Sequence, residues 1–192
     1  LYYYDIFHPS NAGHRVMADC LINYFKNAAA SESAEDLPDL PVYKTDEFEK
    51  VQMFDRRNAE KFVEDLQTGD FTHTDTDLQC VERNLDRKRS PMFPDNWQFN
   101  SSCKNAKPFS FKINCALLLL VMKDSASAAS AKANVFVDGK LVRTLDPREI
   151  GWTHCNALVI IREKQAASHN VQIVPVGEGE KNEFTILGFG KV

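Results

Sequence analysis

Apolar residues change their rhythm along this chain, and each rhythm predicts a different element. Between His8-Pro9 and residue 28, Val16, Met17, Cys20, Leu21, Tyr24 and Phe25 recur at the i, i+3, i+4 spacing of one helical face, with Ser10 placed as the N-cap. A lone helix of this length is marginal in water, so the stripe needs a body of protein to cover it. Beyond residue 51 the period shortens. Phe109, Phe111, Ile113 and Cys115 alternate with Ser110, Lys112 and Asn114 and run into Leu117-Leu118-Leu119-Leu120-Val121, the pattern of a strand entering a core covered on both faces. In Val135-Phe136-Val137-Asp138-Gly139-Lys140-Leu141-Val142, Asp-Gly between apolar alternations marks a tight hairpin, since both turn residues must take positive φ. Further strands are expected at Ala157 to Ile161, Val171 to Val176 and Phe184 to Phe189, with Phe54 and Met92 to Phe99 as edge or crossing strands. Asn58 to Leu66 reads as helical, and Ser125 to Ala133 as a loop. Many short strands with turn signals between them predict a mainly β chain built as an antiparallel, jelly-roll-like sandwich.

Composition divides this pattern. The small, acidic, proline-marked stretch Ala28-Ala29-Ala30-Ser31-Glu32-Ser33 to Leu40-Pro41 has no periodic apolar face and reads as a linker. The expected organisation is residues 1–28, a linker at 29–50, and a sandwich at 51–192, large enough to bury its own core.

The 192 residues are 43% hydrophobic and 26% charged, with a net charge of −4, the balance of a globular protein. The longest apolar run, Ala116 to Met122, is far short of the ~20 residues of a membrane-spanning helix, so no membrane span is expected. Leu1-Tyr2-Tyr3-Tyr4 shows no signal-peptide pattern, which leaves two expectations: a protein that is not exported, or a true start that lies elsewhere. The acidic balance argues against nucleic acid as a partner. The basic cluster Arg83, Arg87, Lys88 and Arg89 is interrupted by Asp86, lacks interleaved aromatics and reads as a solvated loop. The five cysteines, Cys20, Cys80, Cys103, Cys115 and Cys155, form no C-x-x-C pair and have no closely spaced histidines, so no metal site is expected. Cys20, Cys115 and Cys155 sit in apolar contexts expected of buried thiols, and Cys103 with Cys115 is the one pair to test for a bridge.

The densest polar cluster is Asp5-Ile6-Phe7-His8-Pro9-Ser10-Asn11-Ala12-Gly13-His14. An acid three residues before a histidine can hold Nδ1 and leave Nε2 as a general base, whereas a single Asp/His pair is more often a cap or a surface pair. Trp97 and Trp152 are candidate sugar-stacking platforms, with burial beside strands as the competing reading. His154 and His169 read as surface or hydrogen-bonded residues. Asp70, Asp75 and Asp77 lack the order of a calcium loop and read as a solvated acidic loop. Asn100-Ser101-Ser102 fits a glycosylation sequon.

Taken whole, the Asp5 to His14 string resembles the last conserved block of the SGNH (GDSL-like) hydrolases. By that resemblance Asp5 is the orienting acid and His8 the general base of a Ser-His-Asp triad. The helix after Gly13 is then a remnant of the hydrolase α/β domain. The family places its nucleophilic serine and its oxyanion glycine and asparagine before this block. Gly69-Asp70 is followed by Phe71, so no relocated nucleophile block is found there. The expectation is a C-terminal portion that is inactive alone, with the N-terminal hydrolase portion as its missing partner.

A second resemblance runs from Val51 to Val192 through Gly69-Asp70-Phe71, Asn96-Trp97, Pro108-Phe109-Ser110-Phe111, Val137-Asp138-Gly139-Lys140, Gly151-Trp152, His169-Asn170-Val171-Gln172-Ile173 and Phe184 to Gly190. This succession is similar to the β-sandwich appended to SGNH esterases of gut and rumen bacteria. It is also similar in kind to the jelly-roll partner domain of two-domain carbohydrate esterases, where the sandwich comes first. These likenesses imply an intact enzyme that deacetylates polysaccharide or oligosaccharide without a cofactor, outside a bacterial cell or on its surface. The competing class is a non-catalytic carbohydrate-binding or interaction module.

Overall fold

The computed structural model describes residues 2–3, 8–30, 46–77, 92–178 and 182–192. The chain divides into two compact units, Leu1–Lys44 and Thr45–Val192. Asp5, most of the linker (31–45), Cys80 and the basic cluster from Arg83 to Arg89 lie outside the described residues.

In the first unit, α1 spans Asn11–Ala30. Ser10 caps it, its Oγ accepting from the Gly13 amide at 3.3 Å, while the Ser10 amide donates to the Tyr2 carbonyl at 2.8 Å. That return of the chain explains Gly13: a Cβ there would collide with the Tyr2 carbonyl oxygen. The apolar stripe forms as its spacing predicts, yet Val16, Met17, Leu21, Tyr24 and Phe25 are 46–67% exposed. Cys20, expected to be buried, is exposed because it belongs to the same uncovered stripe.

The second unit is an antiparallel β-sandwich. Its strands are β1 (Gln52–Phe54), β2 (Glu64–Gln67), β3 (Trp97–Ser101), β4 (Phe109–Asp124), β5 (Lys132–Val137), β6 (Lys140–Leu145), β7 (His154–Val176) and β8 (Asn182–Lys191). The long pair β4 and β7 belongs to both layers. In one layer, β1 and β3 flank β8, which pairs with the Leu118–Met122 part of β4, and this part pairs with the start of β7. In the other, β2 pairs with the Phe109–Cys115 part of β4, followed by the end of β7, then β5 and β6. The ribbon crosses between layers at irregularities between Cys115 and Leu117 and between Leu118 and Leu119. Val192 staples this crossing: its carbonyl accepts from the Ala116 amide at 2.9 Å and its amide donates to Leu117 at 3.1 Å.

Aromatic rings fill the interior. Phe189 of β8 stacks on Phe54 at 5.1 Å and on Phe109 at 6.0 Å, and meets Phe111 edge-on at 5.0 Å, so residues of both layers share one cluster.

Three sequence expectations are revised. Asn58 to Leu66 is a short 3-10 turn, Ala59–Lys61, followed by β2. Buried Ala59 and Val63, four residues apart and joined by one amide-to-carbonyl bond, mimic a helical period over a single turn. The strands expected at Ala157 to Ile161 and Val171 to Val176 are one strand, β7, whose polar middle from Arg162 to Ser168 is exposed where the ribbon changes layers. In the stretch Met92 to Phe99, extended pairing starts only at Trp97.

The Asp-Gly hairpin forms as expected, with φ of 51° at Asp138 and 76° at Gly139. Asp138 also ties the turn to β7: its Oδ1 accepts from the Asn170 amide and its Oδ2 lies 2.8 Å from His169 Nδ1. The Asn170 amide first, and His169 second, hold the Asp138 carboxyl below its ordinary range. A folded-state pKa below the unfolded one means stabilisation that is present above about pH 3.9 and lost as pH falls through the lowered value. Urea denaturation of wild type and Asp138→Asn should show a stability difference at neutral pH that shrinks on acidification. A difference independent of pH would contradict this role.

Candidate functional site

The block carrying His8 lies at the mouth of α1. His8 is exposed, and the chain around it is held by the Tyr3–Pro9 bridge and the Ser10 cap. His14 Nδ1 lies 3.2 Å from the Ser10 carbonyl oxygen, which engages this ring in the first helical turn. Asp5, the expected orienting acid, lies outside the described residues.

The tryptophans separate. Trp97, a candidate sugar platform, is 1% exposed and packs edge-on to Phe109 at 5.1 Å; its ring is part of the core and presents no face to a ligand. Register explains this, since Trp97 pairs with Ile186 and turns to the aromatic interior along with Phe99. Trp152 is 57% exposed, following Gly151 in the loop before β7.

The acidic run also changes character. Asp70 Oδ2 accepts from the Lys107 amide, fixing a turn in which Gly69 takes a φ of 55° against the carbonyl of Pro108. Asp75, expected in a solvated loop, is buried: its Oδ2 accepts from Lys123 Nζ at 2.8 Å and from Thr185 Oγ1 at 3.0 Å. Asn96 clamps the Asp75 backbone in both directions. Such a pair positions chain segments, and removing one partner would strand a buried charge.

Among the described cysteines, Cys103 and Cys115 are both free, so the bridge considered between them does not form. Cys115 is buried as expected and its thiol is pushed up to about 11 by desolvation, which makes it a poor nucleophile.

A site that the sequence reading passed over lies at the end of the long ribbon. Successive strand residues face opposite ways, so Lys123 turns to Asp75 while Asp124 turns to the other side. There a cleft of about 500 Å³ is lined by Asp124, Arg143, Asp146, Glu149 and Asn156, together with Ile150 and Leu158 and the buried Met122 and Leu145. Asp124 is 1% exposed, and among the described residues its Oδ2 has no formed hydrogen bond. His154 Nδ1 stands 3.5 Å from that oxygen, an ion-pair distance and not a formed hydrogen bond. Burial raises the Asp124 carboxyl above its ordinary range, partly offset by Asn156 and His154. The loop that forms one wall is fixed: the Ser125 amide donates to Pro147 O at 2.8 Å, and Asp146 accepts from the Arg148 amide at 3.0 Å. In the sequence these residues are spread over β4, β6, the following loop and β7, and no spacing pattern joins them.

No protein-family model matches the chain, and no curated protein matches it. Among solved structures, it is similar to a two-domain esterase (CEX) active on acetylated mannans, co-crystallised with mannopentaose. That likeness has a TM-score of 0.65 and 21% identity, over 99% of this chain and 48% of the other. A second structure of a two-domain esterase (CEX) active on acetylated mannans matches with a TM-score of 0.63 and 18% identity, over 99% of this chain and 49% of the other. The chain therefore spans about half the length of these structures and shares their fold over that half.

The contrast between the tryptophans gives a direct check. Trp97→Ala should cost about 3–5 kcal/mol in urea denaturation by opening a cavity in the aromatic core. Trp152→Ala should stay within about 0.5 kcal/mol of wild type. Equal costs would contradict the assignment of one ring to the core and the other to the surface.

Proposed function

We propose that this chain is the C-terminal portion of a serine ester hydrolase of SGNH type that removes acetyl groups from polysaccharide or oligosaccharide. The observation that carries this reading is the Asp5-x-x-His8-Pro9 string leading into the Ser10-capped helix, in a chain whose fold follows about half of an esterase active on acetylated mannans. In this reading His8 Nε2 takes the proton of a serine hydroxyl as it attacks the acetyl carbonyl, then returns it to the departing sugar oxygen. Asp5 accepts from His8 Nδ1–H, fixing the tautomer and stabilising the imidazolium. The nucleophile and the oxyanion donors belong to the hydrolase portion. The uncovered stripe of Val16, Leu21 and Tyr24 supports the same reading, because it is a face suited to packing against that portion.

The second reading, a non-catalytic carbohydrate-binding module, draws on the exposed Trp152 and on the cleft at Asp124. The two readings are compatible for the intact protein, where a sandwich that holds glycan serves the ester-cleaving centre.

Acetate release from acetylated mannan by the product of the complete reading frame tests the first reading. His8→Ala in that protein should lower kcat by at least about a hundredfold with folding intact, and the isolated chain should not turn over p-nitrophenyl acetate above buffer. Full activity of the His8→Ala enzyme, or saturable hydrolysis by the isolated chain, would overturn it.

A further inference from the structure

We propose that Gly13 is a positioning residue for the ester cleavage: the side chain it lacks leaves room for the Tyr2 carbonyl against the first turn of α1, and the closure this allows holds the ends of the segment to which Asp5 and His8 belong. The inference rests on the esterase reading and adds to it a residue outside the triad.

Nothing in the helix itself calls for glycine at this place. Gly13 lies within α1 and has no positive φ, so any residue could adopt its backbone, and glycine is a poor helix former. Among the described residues of α1 it is also the one that is buried. The chain before the helix is what covers it. A Cβ at this position would overlap the Tyr2 carbonyl oxygen and stand 3.0 Å from Pro9 Cβ. The carbonyl is backbone, which cannot swing aside as the end of a flexible side chain can.

Both groups that a methyl would strike flank the His8 segment. Tyr2 and Tyr3 precede Asp5 in the sequence, and Pro9 follows His8. In the structure these ends meet: Tyr3 bridges to Pro9, and the Ser10 amide donates to the Tyr2 carbonyl at 2.8 Å. Ser10 is fastened to the helix at its other polar atoms. Its Oγ accepts from the Gly13 amide at 3.3 Å, and its carbonyl oxygen accepts from the His14 amide at 2.8 Å, with His14 Nδ1 3.2 Å away. The return of Tyr2 therefore ties the start of the segment to the helix, and that return requires a position 13 without a side chain.

A general base works only within hydrogen-bond reach of the proton it takes. Displacing such a group by about 1 Å can lower the rate on the order of a hundredfold while substrate contacts elsewhere stay intact. An added methyl at Gly13 thus acts on kcat through His8 and leaves KM alone. Had the close approach no part in catalysis, the substitution would change melting and not turnover.

The test compares variants of the complete protein on acetylated mannan. Gly13→Ala is expected to lower kcat by about tenfold to a hundredfold and to change KM by less than about twofold. Exchange of the Ser10 amide, read by hydrogen-exchange mass spectrometry, should speed up while exchange in the sandwich is unchanged. Glycine caps helices nearly as well as serine, so Ser10→Gly keeps the helix but removes the Oγ bond to the Gly13 amide. It is expected to lower kcat about fivefold at unchanged KM, and it carries the test if Gly13→Ala does not fold. Wild-type kcat in the folded variants, a loss that falls on KM with kcat unchanged, or lowered kcat without faster Ser10 exchange in Gly13→Ala would overturn the proposal. Failure of the esterase reading looks different: the wild-type protein itself would release no acetate, while Gly13→Ala would still speed exchange at Ser10.

Discussion

Two long strands that must serve both layers are the constraint on which the sandwich depends. β4 and β7 pair along most of their length, and the ribbon they form has to fold over on itself around Cys115 to Leu119. What closes it is apolar burial between its two halves: Phe109 and Phe111 on one side of the bend meet Phe189, which pairs with Leu120 on the other. The bulges release register where the direction changes, and Val192 supplies hydrogen bonds that the crossing residues would otherwise lack. Trp97, edge-on to Phe109, and Phe54, stacked on Phe189, join the same interior cluster.

The same ribbon positions the polar groups. At its end, Lys123 and Asp124 project to opposite faces, one closing a buried network with Asp75 and Thr185, the other bordering the cleft. A buried, satisfied pair beside a buried carboxylate with an unmet oxygen is a consequence of strand alternation carried to the last two residues of the strand. Because the cleft residues sit on strands and on a hydrogen-bonded loop, their spacing is held by the same contacts that hold the core.

Much of the fold could be read from residue order. The alternation of Phe109 to Cys115, the apolar run after it, the Asp138-Gly139 turn and the Ser10 cap each follow from local stereochemistry, and each appears where the pattern places it. What could not be read depends on long-range pairing. β7 looks like two strands because its middle is polar, and only its crossing between layers explains why. Trp97 and Asp75 reach the interior through pairing with Ile186 and Lys123, residues distant in sequence. The cleft at Asp124 joins three strands and a loop with no spacing signature, whereas the Asp5 to His14 string is legible because it is contiguous.

The central claim is that the sandwich is held by its own interior, while the apolar stripe of α1 stands exposed. Native-state hydrogen exchange on the whole chain tests it most directly. Amides of residues 109–122 and 184–190 should exchange only through global unfolding, and those of residues 14–28 should exchange far faster, through local opening of the helix. Protection in α1 equal to that of β4 would contradict the claim, because the stripe would then be covered.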